Sequence, residues 1–346
     1  MAFNNKILNL VLALFFLVLG LFYFWLLKTN LQPISTDPIV YKTQVLPKPE
    51  PIKNKSLSFL FFGDIMLDRH VKEKIDMSGL DYLLAPLSAS STLFLDKDLI
   101  SANLEGPVTN SGSHYPPEAG IDFAFDPDLV RQLKENYNFN FFNLAANHLL
   151  DQGSRGLEET YQNLDSLDLD YSGCPDSQIS DCSTTIVNMD DKKIGLAGFS
   201  LVYNPIDIEK ATTTISDLKN QTDLVIVNIH WGVEYTHYFN TNQQNIAHAL
   251  VDAGADMIIG HHPHVVQGME TYKNKPIFYS LGNFIFDQYF SSDTQEGLAV
   301  GVVVEGDNYD TSLFPIKSEY SRVRLMTEEE KAVFMQNFEK WSNSLP

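Results

Sequence analysis

Five short polar stretches carry residue types that bind divalent cations: Gly63 with Asp64, Asn103 with Glu105, Asn147 with His148, His230 alone, and His262 with His264. Each follows a run of β-forming apolar residues, so each is expected at a strand end. In α/β sheets the loops after the carboxyl ends of strands share one rim, where residues far apart in sequence can converge. Carboxylates, an amide oxygen and imidazoles together suit Mn²⁺, Fe, Co²⁺ or Zn²⁺ better than Ca²⁺, which prefers oxygen alone. One such cation, or a pair about 3.5 to 4 Å apart, lowers the pKa of bound water and polarises a target oxygen. Hydrolysis or transfer is the reaction class that follows.

Singly, these residues have plainer explanations. Asp64 after Gly63 fits an ordinary turn, and His230 beside Trp231 fits a hydrogen-bonded core or surface histidine. The cluster Gly260, His261, His262, Pro263, His264 is sharper, because three imidazoles in four residues repel when protonated and gain most from a metal. It is the joint occurrence at five strand ends that points to a metal site. Arg69, five residues beyond Asp64, offers a fork of donors for a phosphate or carboxylate. It fits equally well as a surface arginine paired with an acidic neighbour.

The elements that must position these residues read as α/β. Buried strands are expected at Leu57 to Phe62, Leu99 to Ala102, Phe139 to Leu144, Lys193 to Phe199, Leu224 to Ile229, Met257 to Ile259, Pro276 to Ser280 and Leu298 to Val304. Helices are expected near Leu80 to Ser91, Pro127 to Asn136 with Asp126 as N-cap, Gly156 to Leu167, Gln243 to Ala253, and Thr327 to Ser342.

Upstream, the 21 residues Ile7 to Leu27 carry no charge and, apart from Asn9, are apolar or glycine. At 1.5 Å per residue that run crosses roughly 30 Å of hydrocarbon. It is longer than the apolar stretch of a cleaved signal peptide, and Phe24 to Lys28 offer no small-residue cut site. The expected organisation is a cytoplasmic stub and single transmembrane helix over residues 1–28, a Pro-rich tether over 29–56, and one domain over 57–346. Lys6 and the amino terminus against Lys28 and Lys42 make the charge rule for orientation nearly a draw. Cys174 and Cys182 are the only cysteines, and either a disulfide or two separate thiols fits their spacing. The domain is expected outside the cell.

The formal charge of −20 is uneven. Residues 1–57 hold six Lys against Asp37 and Glu50, a net +4, which leaves −24 on the remainder. Nucleic acid is excluded as a natural partner of such a domain. Long polyanions are admitted only where local cations or a bound metal invert the field.

The segments FFGDIMLDR, SANLEGPVT, FNLAANHLLDQG, VNIHWGVEY and GHHPHVVQGMETYKNKPIFYSLGNFIFDQ resemble, in order, the blocks of the CapA-type poly-γ-glutamate (capsule) synthesis proteins, themselves similar to calcineurin-like metallophosphoesterases. The resemblance runs from about Leu57 to about Val304. It implies a sandwich of two mixed β-sheets flanked by helices, with a two-metal site along one edge. Carried over, Asp64 and His264 would bind a first metal, Glu105 would bridge, and Asn147, His230 and His262 would bind a second. His148 would assist the leaving group or stabilise the transition state, and Asp151 would orient it. Two departures stand out: the Asp-x-His start of the phosphoesterases is here Asp64, Ile65, Met66, and Glu105 is a methylene longer than the usual Asp. His261 and His262 both remain candidates for one ligand position. The implied function is metal-dependent hydrolysis or transfer at an amide or ester of an extracellular, poly-γ-glutamate-like anionic polymer, in company with membrane synthase subunits. Alternatives are a phosphoesterase and a non-catalytic scaffold of such a synthase.

Overall fold

The computed structural model describes residues 14, 17–25, 28, 56–89, 92–117 and 121–344. The chain divides into two units, Met1–Lys53 and Asn54–Pro346. In the first, residues 14, 17–25 and 28 are helical. The rest of the expected anchor and nearly all of the tether lie outside the described residues, among which no helix is long and apolar enough to cross a membrane.

The second unit is built on two mixed sheets. One runs β14 (Arg322–Leu325), β13 (Asn308–Glu319), β12 (Glu296–Glu305), β1 (Leu57–Ile65), β2 (Leu99–Leu104), β3 (Phe141–Asn143), β4 (Asp170–Ser172), with β11 (Asn283–Ile285) also pairing with β1. The other runs β5 (Thr184–Met189), β6 (Lys192–Ser200), β7 (Leu224–His230), β8 (Met257–His261), β10 (Lys275–Phe278), β9 (Met269–Tyr272). Strands β1 to β4 are mutually parallel, as are β6, β7, β8 and β10, while antiparallel strands close the far sides.

Side-chain alternation along β1 explains the layering. Phe59 and Phe61 enter a core shared with Leu196, Ile226 and Ile259 of the second sheet. Leu60 and Phe62 point the other way, into a core shared with α1 (Arg69–Ser78), α2 (Leu80–Ala89), α3 (Pro127–Tyr137) and α4 (Gly153–Ser166). The outer face of the second sheet is covered by α5 (Ile208–Lys219) and α6 (Thr241–Asp252). Each fully buried side chain of this size stabilises the fold by about 1.5–3 kcal/mol. The C-terminal α7 (Glu328–Asn343) closes one end of the inter-sheet core with Phe334, Phe338 and Trp341. Two expected helix starts hold, Asp126 capping α3 with Pro127 at its first position and Thr327 with Glu330 forming a reciprocal cap on α7. Helices α4 and α6 begin earlier than expected, at Gly153 and Thr241.

Two glycines decide where the strand ends sit. A Cβ on Gly63 would lie 1.8 Å from the Gly282 carbonyl oxygen, and one on Gly260 would lie 2.0 Å from that of Tyr279. Their absence lets β1 and β8 press against the Tyr279–Gly282 segment, fixed further by the Asp64 N–H donating to the Gly282 carbonyl at 3.0 Å. Between Phe61 and Asp64 the β1–β2 register slips by one residue, with Phe61 opposite Ser101 and Asp64 opposite Asn103. That bulge turns Asp64 onto the face shared with Asn103.

Candidate metal centre

The strand ends converge as the sequence implies. Asp64 ends β1, Glu105 follows β2, Asn147 and His148 follow β3, His230 ends β7, and His262 and His264 follow β8. Asp64, Glu105 and His230 present ligand atoms within 4.8 Å of one another, and so do Glu234, His262 and His264. His264 Nδ1 lies 3.3 Å from Asp64 Oδ2, and its Nε2 lies 3.9 Å from Glu105 Oε1. His230 Nε2 lies 3.5 Å from Glu105 Oε1 and 2.8 Å from Asn147 Oδ1. The rings of His230 and His262 are 4.9 Å apart.

Despite Ile65 and Met66 after Asp64, an imidazole stands beside that carboxylate. It is His261, whose Nδ1 is 3.5 Å from Asp64 Oδ1 and whose Nε2 faces Asn228 Oδ1 at 3.4 Å. His262 instead lines a cavity of about 900 Å³ together with Asn147, His148 and His264. Both His262 (φ 96°) and His264 (φ 58°) occupy left-handed backbone. Such conformations cost non-glycine residues about 1–3 kcal/mol each and persist only where surroundings impose them.

The electrostatics fit a cation. Asp64, Glu105 and His230 are fully buried. Glu105 Oε1, His230 Nδ1 and His262 Nδ1 are buried without hydrogen-bond partners, which is costly unless something else meets those lone pairs. Burial pushes the Glu105 carboxyl up to about 8, with the Asp64 charge adding to it. Burial would raise Asp64 too, but the neighbouring His261 and His264 imidazoles outweigh it and hold Asp64 below the ordinary carboxylate range. Burial drives His230 down to about 3 and His262 down to about 2, so both stay neutral. His264 reaches about 9, because the Asp64 and Glu105 carboxylates overcome the burial that opposes its charge. Neutral imidazoles beside buried carboxylates are the donor set that a divalent ion takes.

His148 stands at the cavity edge, with Nδ1 2.7 Å from Asp151 Oδ2, and that same oxygen accepts from the Phe123 N–H at 2.9 Å. Burial lowers the His148 pKa, but the Asp151 hydrogen bond and the Glu105 and Asp151 charges raise it above its ordinary value overall. The Phe123 ring lies 4.5 Å from the His148 ring and 4.9 Å from the Arg69 guanidinium carbon. Arg69 lines the cavity and pairs with Asp287.

The sequence names Asn103 only as a strand-end residue beside Glu105, and it does not single out Asn143, Asn283 or Glu234. Asn103 Nδ2 donates to Asp64 Oδ1 at 2.9 Å and to Glu105 Oε2 at 2.8 Å, while Asn143 Nδ2 donates to Asn103 Oδ1 at 2.7 Å. Asn283 Oδ1 lies 3.0 Å from His264 Nδ1. All three asparagines are buried, and polar residues closing apolar strand runs are the signal that marks them. Glu234 lies four residues beyond His230 in an exposed turn, where no periodicity singles it out. Cys174 and Cys182 form a disulfide with Cα atoms 5.3 Å apart, which settles the question their spacing left open.

Fold and site together define an α/β protein of two mixed sheets with a buried carboxylate–imidazole cluster suited to a divalent metal. The family described as bacterial capsule synthesis protein PGA_cap matches residues 58–288. The capsule biosynthesis protein CapA of Bacillus anthracis is 34% identical over 268 residues, covering 72% of this chain and 64% of that protein. The PGA biosynthesis protein CapA of Bacillus subtilis is 34% identical over 290 residues, covering 75% of this chain and 74% of that protein. The chain therefore spans just under two thirds of the first relative's length. Among solved structures, a phosphatase from Mycoplasma pneumoniae superposes with a TM-score of 0.50 at 17% identity, covering 76% of this chain and 94% of that one. A hypothetical protein from Thermus thermophilus superposes at 0.51 with 15% identity, covering 75% and 99%. These two likenesses concern the fold. The chain belongs to the bacterial capsule synthesis (PGA_cap) family.

Proposed function

We propose that this protein is a membrane-anchored, divalent-metal-dependent hydrolase or transferase that acts at an amide or ester of an extracellular, poly-γ-glutamate-like polymer. One observation carries the reading: the buried, unpartnered lone pairs of Glu105, His230 and His262 sit beside the Asp151-held His148. Asp64, Glu105, Asn147, His230, His262 and His264 would hold one ion or two. A divalent ion bound there supplies an acidified water and polarises the oxygen of the scissile group. The rest falls to the chain's own side chains. Asp151 fixes the His148 tautomer by accepting from Nδ1, so Nε2 is the atom that carries the exchangeable proton. With its pKa raised, His148 is suited to donate that proton to the leaving group. Phe123 supports both the imidazole and the Arg69 guanidinium, which orients an anionic group of the substrate.

The substrate class comes from the relatives, whose names place them in capsule and PGA biosynthesis. Membrane anchorage by Ile7 to Leu27, the domain outside and a membrane synthase as neighbour belong to the same proposal. The disulfide supports outside placement, since such bonds persist in oxidising compartments.

The test is metal analysis of the purified chain, joined to polyglutamate and phosphoester assays with chelator and metal add-back. Metal-dependent shortening of polyglutamate is expected, with less bound metal in His262→Ala and Glu105→Ala. Unchanged metal content in both variants overturns the ligand set. Phosphate release without polymer cleavage replaces the reading with a phosphoesterase.

A further inference from the structure

A second groove, of about 510 Å³, is lined by Lys74, Tyr82, Tyr320 and Arg322, together with the paired Glu319 and Arg324. In a chain of net charge −20, this groove presents two cations that have no carboxylate partner among the described residues. Lys74 Nζ donates to the Tyr289 hydroxyl at 3.0 Å and the Tyr320 carbonyl at 2.6 Å, both uncharged, and lies 4.3 Å from the Tyr289 ring centroid. The Arg322 guanidinium carbon lies 4.8 Å over the Tyr82 ring. Neither cation has a carboxylate within ion-pair reach among the described residues, whereas the adjacent Arg324 pairs with both Glu330 and Glu319. A cation backed by an aromatic face keeps its other side for an anion.

The groove and the metal cavity are bordered by the same two elements. Asp287, Gln288 and Phe290 line the metal cavity, while Tyr289 between them reaches Lys74. On α1, His70, Lys74 and Ser78 recur every fourth residue and so share one face. His70 lines the metal cavity, and Lys74 and Ser78 line the groove. The ten residues of α1 measure about 15 Å end to end.

We propose that this groove is a carboxylate-binding exosite, which holds a distal stretch of the same anionic polymer whose reacting bond lies at the metal cavity. It rests on the polymer reading above. A small anion cannot span both places. An extended polymer of several units reaches across that distance, and one with a carboxylate on every unit meets Lys74 and Arg322 along the way. Charge complementarity selects this occupant, because the acidic remainder of the surface repels a polyanion.

The experiment measures binding of end-labelled long poly-γ-glutamate and of a γ-glutamyl dimer to the purified full-length chain. The double variant Lys74→Gln with Arg322→Gln should weaken long-chain binding about tenfold. It should also flatten the salt dependence, leaving dimer binding, metal content and thermal midpoint unchanged. Lys74→Arg with Arg322→Lys, which keeps both charges, should bind long chains as the wild type does. Wild-type long-chain affinity in the double Gln variant overturns the exosite and leaves the metal-site reading standing. Equal weakness in the charge-keeping variant also overturns it, by assigning the effect to packing. A wild-type chain that binds no polyglutamate removes the polymer reading and the exosite together. Polyphosphate competing as well as polyglutamate overturns the assignment to a carboxylate polymer.

Discussion

The side-chain amide of Asn103 donates to Asp64 at 2.9 Å with the same nitrogen that reaches Glu105 at 2.8 Å. One group thereby sets the separation of two buried carboxyl groups, and Asn143 fixes its orientation from behind. Asn103→Ala should leave both carboxylates without that donor. Metal affinity should fall by about 10- to 100-fold, the usual consequence of losing a group that orients ligands. Stability should fall by about 1–3 kcal/mol. Competition with a chelator and denaturant unfolding measure the two effects, and wild-type affinity in the variant would remove Asn103 from the site.

Gly63→Ala tests the backbone that brings β1 to the site. Its new Cβ would lie 1.8 Å from a backbone oxygen, where no side-chain rotation relieves the clash. The expected cost is at least about 3 kcal/mol, the upper range for overpacking. A soluble variant with wild-type unfolding midpoint would contradict the close approach of β1 to Gly282.

The strands that follow simple periodicity were legible from residues alone. Leu57 to Phe62 reads as a buried strand because both of its faces are covered, and Asp126-Pro127 announces α3 by cap chemistry that needs no tertiary contact. Others were not. β13 alternates exposed and half-buried residues and ends on polar ones, and α1 has a polar surface with only Val71 and Ile75 buried, so neither shows an apolar stripe. At the site, Asp64, Glu105 and the histidines announce themselves by chemical type. Asn103, Asn143 and Asn283 act through hydrogen bonds that exist only once the strands are side by side. The choice between His261 and His262 depended on which ring faces the cavity, and residue spacing carries no information on that.

Proton linkage provides a third test. Without metal, Glu105 near 8 and His264 near 9 both retain a proton at neutral pH. A bound ion needs their lone pairs, so it must displace those protons, and lower pH makes the displacement harder. Affinity should therefore rise as pH climbs from about 6 to about 9 and level off above, with roughly two protons released per site at neutral pH. Calorimetry in buffers of different ionisation enthalpy counts them. An affinity independent of pH over that range would contradict the charge states assigned to Glu105 and His264.

His148 separates a site that performs chemistry from one that only scaffolds. It is held by Asp151 at 2.7 Å, and metal ligation is assigned to other residues. An imidazole that donates a proton in a transition state typically contributes about 10² to 10⁴ in rate. The decisive measurement is polymer yield and chain length in cells that carry His148→Ala in place of the native protein, with the metal content of the variant determined in parallel. If His148 donates a proton in catalysis, metal content stays normal while polymer processing falls by a factor of that order. Wild-type yield and chain length with metal intact would contradict it and leave a scaffold.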